Sequence, residues 1–245
     1  MKICIVIPAY NEELRIEKTL LTYYEFFQKQ AQGMNFLIIV ALNGCTDKTG
    51  TIVKTIKKNN PHITIIETAK AGKGLAIKAG FLTALQDKTI DIIGFVDADM
   101  ATEPAYFMDL YRALDTEYDG AIASRYSKDS HIFPPRPFIK RWGSYLIYES
   151  FIKILFSLFY DDYQCGAKLF KRHVLEKIAN QLSMQQWAFD VELLYLCKLY
   201  HIKVKQVPTV WYDRSGSKLK LFSGILMLWH LIKLRLNYFF TRKTP

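Results

Sequence analysis

The first half of this chain alternates short apolar runs with longer segments of helical periodicity, and that alternation restricts the fold more than any other feature. The runs are Lys2 to Ile7, Phe36 to Leu42, Ile63 to Glu67, Ile92 to Val96 and Ala121 to Ser124. Helices are expected between them, starting near Glu12, Thr46, Lys73 and Pro104. Repeated strand-then-helix units predict an α/β fold, a mainly parallel sheet flanked by helices on both faces. With 245 residues, half of them apolar, the chain has enough material for a single unit with a sizeable core. There is no internal repeat and no low-complexity tract; Pro134, Pro135 and Pro137 mark the one evident interruption.

In sheets of this kind ligands lie beyond the carboxyl ends of the strands. Three polar clusters fall there: Tyr10 to Glu12, Asn43 to Asp47 and Asp97 to Asp99. The third ends an apolar run in Phe-Val-Asp-Ala-Asp. On an extended chain that spacing turns Asp97 and Asp99 to one face, where both reach a hard cation through oxygen ligands. A lone Asp-x-Asp is as readily a solvated strand end; three clusters on one edge make a site. Pro8 is expected to stop the first strand, leaving Tyr10 and Glu12 on the sheet edge, where a ring stacks on a flat base and a carboxylate meets a ribose hydroxyl. Taken singly, Asn11 and Glu12 are also ordinary helix-cap residues. Gly44 permits a tight turn, Thr46 or Asp47 is expected to cap the next helix, and Asn43 is left to touch the base. Lys70-Ala-Gly-Lys-Gly lacks Walker spacing, which excludes a P-loop, yet Lys73 at a glycine-rich helix start offers amides and charge to an anion.

A formal net charge of +10 implies anionic partners: a nucleotide diphosphate, nucleic acid or an acidic membrane surface. No RNA-reading motif accompanies the aromatic residues, so nucleic acid is not expected. Cys4, Cys45, Cys165 and Cys197 stand isolated, which suggests neither zinc nor disulfides and fits a reducing, cytoplasmic setting. The opening residues are too short and too β-branched for a signal peptide and read as a core strand. Two further stretches are apolar. Ser144 to Tyr160 is broken by a polar stripe at Glu149, Ser150, Lys153 and Ser157. Leu219 to Phe240 carries Phe222, Ile225, Leu226, Trp229, Ile232, Leu236 and Phe239 at helical spacing among Lys220, His230, Lys233 and Arg235. Neither suits a membrane span, since each cation near a bilayer centre costs about 2.5–3.5 kcal/mol. Amphipathic helices at the membrane interface are expected instead; core or dimer helices are the alternative, which leaves a homo-oligomer open.

Taken in order, Pro-Ala-Tyr-Asn-Glu at 8–12, Asn-Gly-Cys-Thr-Asp-Lys-Thr at 43–49, Gly-Lys-Gly at 72–74 and Asp-Ala-Asp at 97–99 resemble the nucleotide-sugar half of the family 2 glycosyltransferases, which have the Rossmann-like GT-A fold. The second half is similar to the polyprenyl-phosphate sugar synthases, most of all the dolichyl-phosphate β-glucosyltransferases. It carries Ser124-Arg-Tyr, Asp162-Tyr-Gln-Cys-Gly-Ala-Lys-Leu-Phe, Trp187-Ala-Phe-Asp-Val-Glu-Leu-Leu and Gly216-Ser-Lys-Leu. Two departures stand out: Leu42-Asn43 replaces the paired carboxylates of many relatives, and Gly166-Ala167 replaces Gly-Phe.

The resemblance implies inverting transfer of a hexose, glucose from UDP-glucose, onto a polyprenyl or dolichyl phosphate. It implies Mg²⁺ or Mn²⁺ on Asp97 and Asp99, and catalytic parts for Asp99, Arg125 and Asp190. Donor contacts fall to Pro8, Tyr10, Glu12, Asn43, Lys73 and Asp97, and acceptor-phosphate contacts to Arg125, Lys140, Arg141, Ser144, Arg214 and Lys218. It further implies a catalytic domain over residues 1–218, divided into a nucleotide-sugar half (1–125) and an acceptor half (126–218). An amphipathic basic segment, 219–245, then holds the enzyme peripherally on the cytoplasmic side of a membrane. Asp190 is expected to orient the sugar or the basic cluster. A transferase acting on a polysaccharide hydroxyl would share the donor half but need a general base. A nucleotidyltransferase would have no use for lipid-facing helices, and a binding module would leave the paired aspartates unexplained.

Overall fold

The computed structural model describes residues 1–29, 34–135, 148–186, 188–213 and 223–241. In chain order the strands are β1 (Lys2–Ala9), β2 (Asn35–Asn43), β3 (Ile63–Thr68), β4 (Ile92–Val96), β5 (Gly120–Ser124), β6 (His131–Phe133), β7 (Ala167–Lys171), β8 (Val204–Pro208) and β9 (Val210–Tyr212). The helices are α1 (Ile16–Lys29), α2 (Thr49–Lys58), α3 (Lys73–Gln86), α4 (Pro104–Arg112), α5 (148–156), α6 (Arg172–Ile178), α7 (Phe189–Leu199) and α8 (Ser223–Thr241).

Seven strands form one sheet in the order β3-β2-β1-β4-β7-β5-β8. Its first four strands are parallel; β7 enters antiparallel between β4 and β5, and β8 pairs parallel with β5. Strand alternation sorts the core. Ile3, Ile5 and Ile7 point to the face covered by α1, α2 and α4, while Cys4 and Val6 point to the face covered by α3, α6 and α7. Helix α3 lies so close to β1 that a Cβ on Gly80 would collide with Val6. The α/β prediction therefore holds, and the five expected strands appear within two residues of their expected ends.

Local differences have physical causes. The expected helix starts near Glu12 and Thr46 move to Ile16 and Thr49, because turns come first. The Glu12 carbonyl accepts the Arg15 and Ile16 N–H groups; Lys48 stands at the cap of α2 with no side-chain cap bond, and Asp47 just before it accepts the Thr49 N–H at 2.9 Å. Pro8 does not stop β1, which runs on to Ala9 in register with β2. The β1–β4 ladder ends at Val6, so a missing N–H at Pro8 has no second strand to disappoint.

Helices α5 and α8 share a third core cluster with α7. Ile152 and Phe156 of α5 and Leu231 and Leu234 of α8 are buried there. Thus α8 turns inward a different set from the sequence stripe. Trp229, Leu236 and Phe239, all in that stripe, face outward and are 59%, 46% and 65% exposed. Among the described residues no helix is long and apolar enough to cross a membrane.

Candidate active site

The carboxyl ends of β1, β2 and β4 meet the start of α3, and the side chains there form a row of alternating charge. Asp97 follows β4 directly, its N–H held by the Gly166 carbonyl at 2.9 Å. A Cβ on Gly166 would overlap the Asp97 carboxylate, so only glycine lets that group lie flat against β7's approach. Lys73 Nζ sits 2.7 Å from Asp97 Oδ1 and 4.0 Å from Asp190 Oδ2. Asp190 Oδ1 in turn lies 2.6 Å from Lys168 Nζ, which is wholly buried and donates to the Cys165 carbonyl at 2.8 Å. Asp99 folds its Oδ1 onto the Ala101 N–H at 3.0 Å, across Met100 in a left-handed conformation (φ 58°). A second left-handed residue, Asn11 (φ 52°), stands at the end of β1. Such backbone strain concentrates at functional sites.

Electrostatics follow from this packing. Burial pushes the Asp97 carboxyl up, Lys73 works against it, and the nearby Asp99 charge adds to the rise. Burial works to lower Lys73, but Asp97 and Asp190 outweigh it and raise its ammonium well above the usual value. Three carboxylates (Asp97, Asp99, Asp190) face two ammonium groups (Lys73, Lys168), so the row carries one net negative charge on a chain of net charge +10. Among the described residues no three His, Cys, Asp or Glu side chains converge as a complete metal cage. A half-buried pair of carboxylates fits Mg²⁺ or Mn²⁺, which take one or two protein carboxylates and fill the rest of their shell with phosphate and water.

The other expected donor residues lie on the neighbouring strand ends. Tyr10 is 40% exposed, whereas Pro8 is buried in β1. Glu12 carries Arg15 at 2.8 Å, and its N–H donates to Thr49 Oγ1 at 2.7 Å. Asn43 is buried with both ends of its amide engaged, Nδ2 to the Ala9 carbonyl and Oδ1 to the Gly72 N–H, each at 2.9 Å. It ties β1 and β2 to the loop before α3.

Arg125 stands on the same sheet edge, at the end of β5 and two strands from Asp97. Its guanidinium is gripped by buried Asp162, Nε to Oδ2 at 2.6 Å and an Nη to Oδ1 at 2.9 Å, with the Tyr126 and Trp211 rings 5.5 and 5.3 Å away. Lys140, Arg141, Ser144, Arg214 and Lys218 lie outside the described residues, as does Trp187.

Four residues of the motifs quoted above matter here although no site role was assigned to them: Asp162, Gly166, Lys168 and Glu192. Glu192 is buried and holds the loop after residue 182 through the Ser183 and Met184 N–H groups at 2.9 and 2.8 Å. That loop packs on Gly74 at the start of α3 and so braces Lys73. The available signal was a single lysine within the Ala-Lys-Leu-Phe strand, which strand alternation alone reads as an outward residue.

Residues 4–179 match the family model described as Glycosyl transferase family 2. The dolichyl-phosphate beta-glucosyltransferase of Dictyostelium discoideum is 30% identical, the match covering 96% of this chain and 74% of that one. Its namesake in Saccharomyces cerevisiae is 31% identical over 96% of this chain and 74% of the relative. The namesake in Homo sapiens is 29% identical over 97% and 76%. Among solved structures, glucosyl-3-phosphoglycerate synthase from Mycobacterium tuberculosis, crystallised with Mn²⁺, UDP and glucosyl-3-phosphoglycerate, superposes with a TM-score of 0.65 over 94% of this chain and 77% of that one. At 17% identity, that likeness is one of fold.

Proposed function

The chain belongs to glycosyl transferase family 2, and from that premise we propose that it transfers glucose, with inversion, from UDP-glucose to the phosphate of a dolichyl or polyprenyl carrier. The observation that carries this reading is the charge row from Asp97 to Lys168 at the carboxyl edge of the sheet. Asp97 and Asp99 would hold Mg²⁺ or Mn²⁺, which when bound neutralises charge growing on the departing nucleoside diphosphate. Lys73 adds a fixed positive charge beside them, and the exposed Tyr10 ring suits stacking on a base. Pro8, Glu12 and Asn43 shape the walls of the donor pocket.

A phosphate monoester, with its second pKa near 6, is already a nucleophilic dianion at neutral pH and needs no general base. The bond between Asp190 and Lys168 supports such an acceptor. Protonating Asp190 would leave a fully buried lysine without its counter-charge, so Asp190 is ill suited to the base work that a hydroxyl acceptor demands. What two approaching polyanions do need is positive charge. In this reading Arg125, Lys140, Arg141, Ser144, Arg214 and Lys218 form the acceptor-phosphate site, with Arg125 aimed by Asp162. Residues 1–125 serve the donor and 126–218 the acceptor, while 219–245 rests on the cytoplasmic face of a membrane. The outward Trp229, Leu236 and Phe239, with Lys233 beside them, support that peripheral attachment.

The test is direct. Purified protein is incubated with labelled UDP-glucose or GDP-mannose, Mg²⁺ or Mn²⁺ and a short polyprenyl phosphate. Label from UDP-glucose is expected in an acid-labile glycolipid; label only in polysaccharide, or only in free sugar, overturns the acceptor assignment.

A further inference from the structure

The fully buried carboxyl of Glu192, in the first turn of α7, is held by uncharged donors and by no cation among the described residues. The Ser183 and Met184 N–H groups donate to Oε2 at 2.9 and 2.8 Å. The hydroxyls of Ser183 and Tyr238 donate to Oε1 at 2.6 and 3.3 Å. A carboxylate has about four lone-pair sites, and here each oxygen meets two donors. Three of those donors belong to the loop over residues 182–186, where Ser183, Gln185 and Gln186 are exposed; the fourth comes from the last turn of α8.

That loop closes on the start of α3. The Gln185 carbonyl accepts the Gly74 N–H at 2.9 Å, and the Gln186 amide donates to the Ala71 carbonyl at 3.4 Å, so the loop grips the chain on both sides of Lys73. A Cβ on Gly72 would collide with the Gln185 carbonyl, and one on Gly74 with the Met184 carbonyl. The fit is therefore to loop backbone, which has no flexible side chain to give way. A lysine ammonium rides on a flexible four-carbon stem, so its place depends on where its backbone is held. Held here, Lys73 reaches Asp97 at 2.7 Å.

We propose that Glu192 and Tyr238 are positioning residues for the diphosphate of the sugar-nucleotide donor: they seat the 182–186 loop, the loop fixes the start of α3, and Lys73 stays aimed at the diphosphate beside Asp97. Neither side chain touches the ligand. This rests on the donor reading above and adds that α8, assigned there to the membrane surface, is also part of the donor site.

Calorimetric titration with UDP in Mg²⁺ reads the effect, because it yields affinity and number of sites separately. A merely structural loss removes sites and leaves the affinity of the rest unchanged. Glu192→Ala should bind UDP about tenfold more weakly, and Tyr238→Phe, which loses one hydrogen bond, about threefold. UDP-glucose should weaken by the same factors, since the diphosphate is common to both. Glu192→Gln should stay within about twofold of the parent: its oxygen faces the two N–H groups, and its amide donates to the two hydroxyls, which also accept. Ile152→Val, in the core cluster that α5 and α8 share but outside these hydrogen bonds, should melt lower and bind UDP as the parent does. Tyr238→Phe removes a single oxygen from a half-buried ring, so it decides the matter even where Glu192→Ala fails to fold. Parental UDP affinity in Tyr238→Phe, Glu192→Gln as weak as Glu192→Ala, or an equal loss in Ile152→Val overturns the inference and leaves the donor reading in place. A parent that binds neither UDP nor UDP-glucose overturns the donor reading, and this inference with it.

Discussion

At the scale of single residues, the site depends on very small clearances. A methyl group on Gly166 has no room beside the Asp97 carboxylate, which must then swing away from Lys73. Misplacing a reacting group by about 1 Å costs on the order of a hundredfold in rate. Gly166→Ala should therefore lose roughly that much kcat/KM in the glucosyl-transfer assay, while a thermal melt shows a protein that is still folded. Asp99 offers the complementary case. Its described side-chain bond is a single turn contact to the Ala101 N–H, so little of the fold rests on it. Asp99→Ala should abolish transfer and leave the circular dichroism spectrum intact; unchanged turnover would remove Asp99 from the metal site. Lys168 is the reverse, a residue whose loss is felt first in stability. Lys168→Met would take from buried Asp190 its partner at 2.6 Å and leave it only Lys73 at 4.0 Å, a loss on the order of 3 kcal/mol readable by urea denaturation.

At the scale of elements, the pairing of β5 with the loop before β7 is fastened by Arg125 and Asp162. Burial alone would raise the Asp162 carboxyl, but the Arg125 guanidinium and N–H outweigh it and hold it below the usual carboxylate range. The sign of the linkage follows. A carboxyl depressed in the folded state stabilises the fold fully above its unfolded value of about 3.9, and that contribution is lost as pH falls through the lower folded value. Asp162→Asn should therefore be less stable at pH 7, and its stability should fall less steeply than the parent's below pH 4. Urea midpoints measured from pH 7 down to pH 2.5 check both; parallel curves for the two proteins would deny Asp162 this part. Helix α7 is the other junction. Asp190 in its first turn joins the charge row, Glu192 braces the loop over α3, and Tyr195 meets Arg235 of α8 at 3.0 Å. One helix thus connects the donor edge to the outermost helix of the fold.

At the scale of the whole molecule, five of the nine large apolar residues exposed among the described residues lie on or beside the helices packed around α7; Met1, Tyr10, Leu14 and Phe133 lie elsewhere. Ile154 of α5, Phe159 just after it, and Trp229, Leu236 and Phe239 of α8 are all exposed. Burying one aromatic side chain is worth about 1.5–3 kcal/mol, so two of them govern most of a weak surface affinity. The double substitution Trp229→Ser, Phe239→Ser should lower binding to vesicles containing anionic lipid by at least tenfold in a flotation assay. UDP-glucose affinity should stay as it was, because neither side chain belongs to the charge row. Equal flotation of parent and variant would overturn the proposed attachment through α8.

The parallel half-sheet and the gathering of polar clusters at its carboxyl edge were legible from the chain alone, because both follow from local rules. A period of two makes a strand, a period of 3.6 makes a helix, and crossovers put strand ends on one side. Asp97, Asp99 and Lys73 could be singled out for the same reason. Sequence could not say that Lys168 belongs to Asp190, 22 residues on, or that Asp162 closes on Arg125, 37 residues back. Nor could it say that α8 would turn Leu231 and Leu234 inward and leave Trp229, Leu236 and Phe239 outside. Those outcomes depend on which elements come to pack together, and only the folded chain sets the distances at which a buried charge finds its partner.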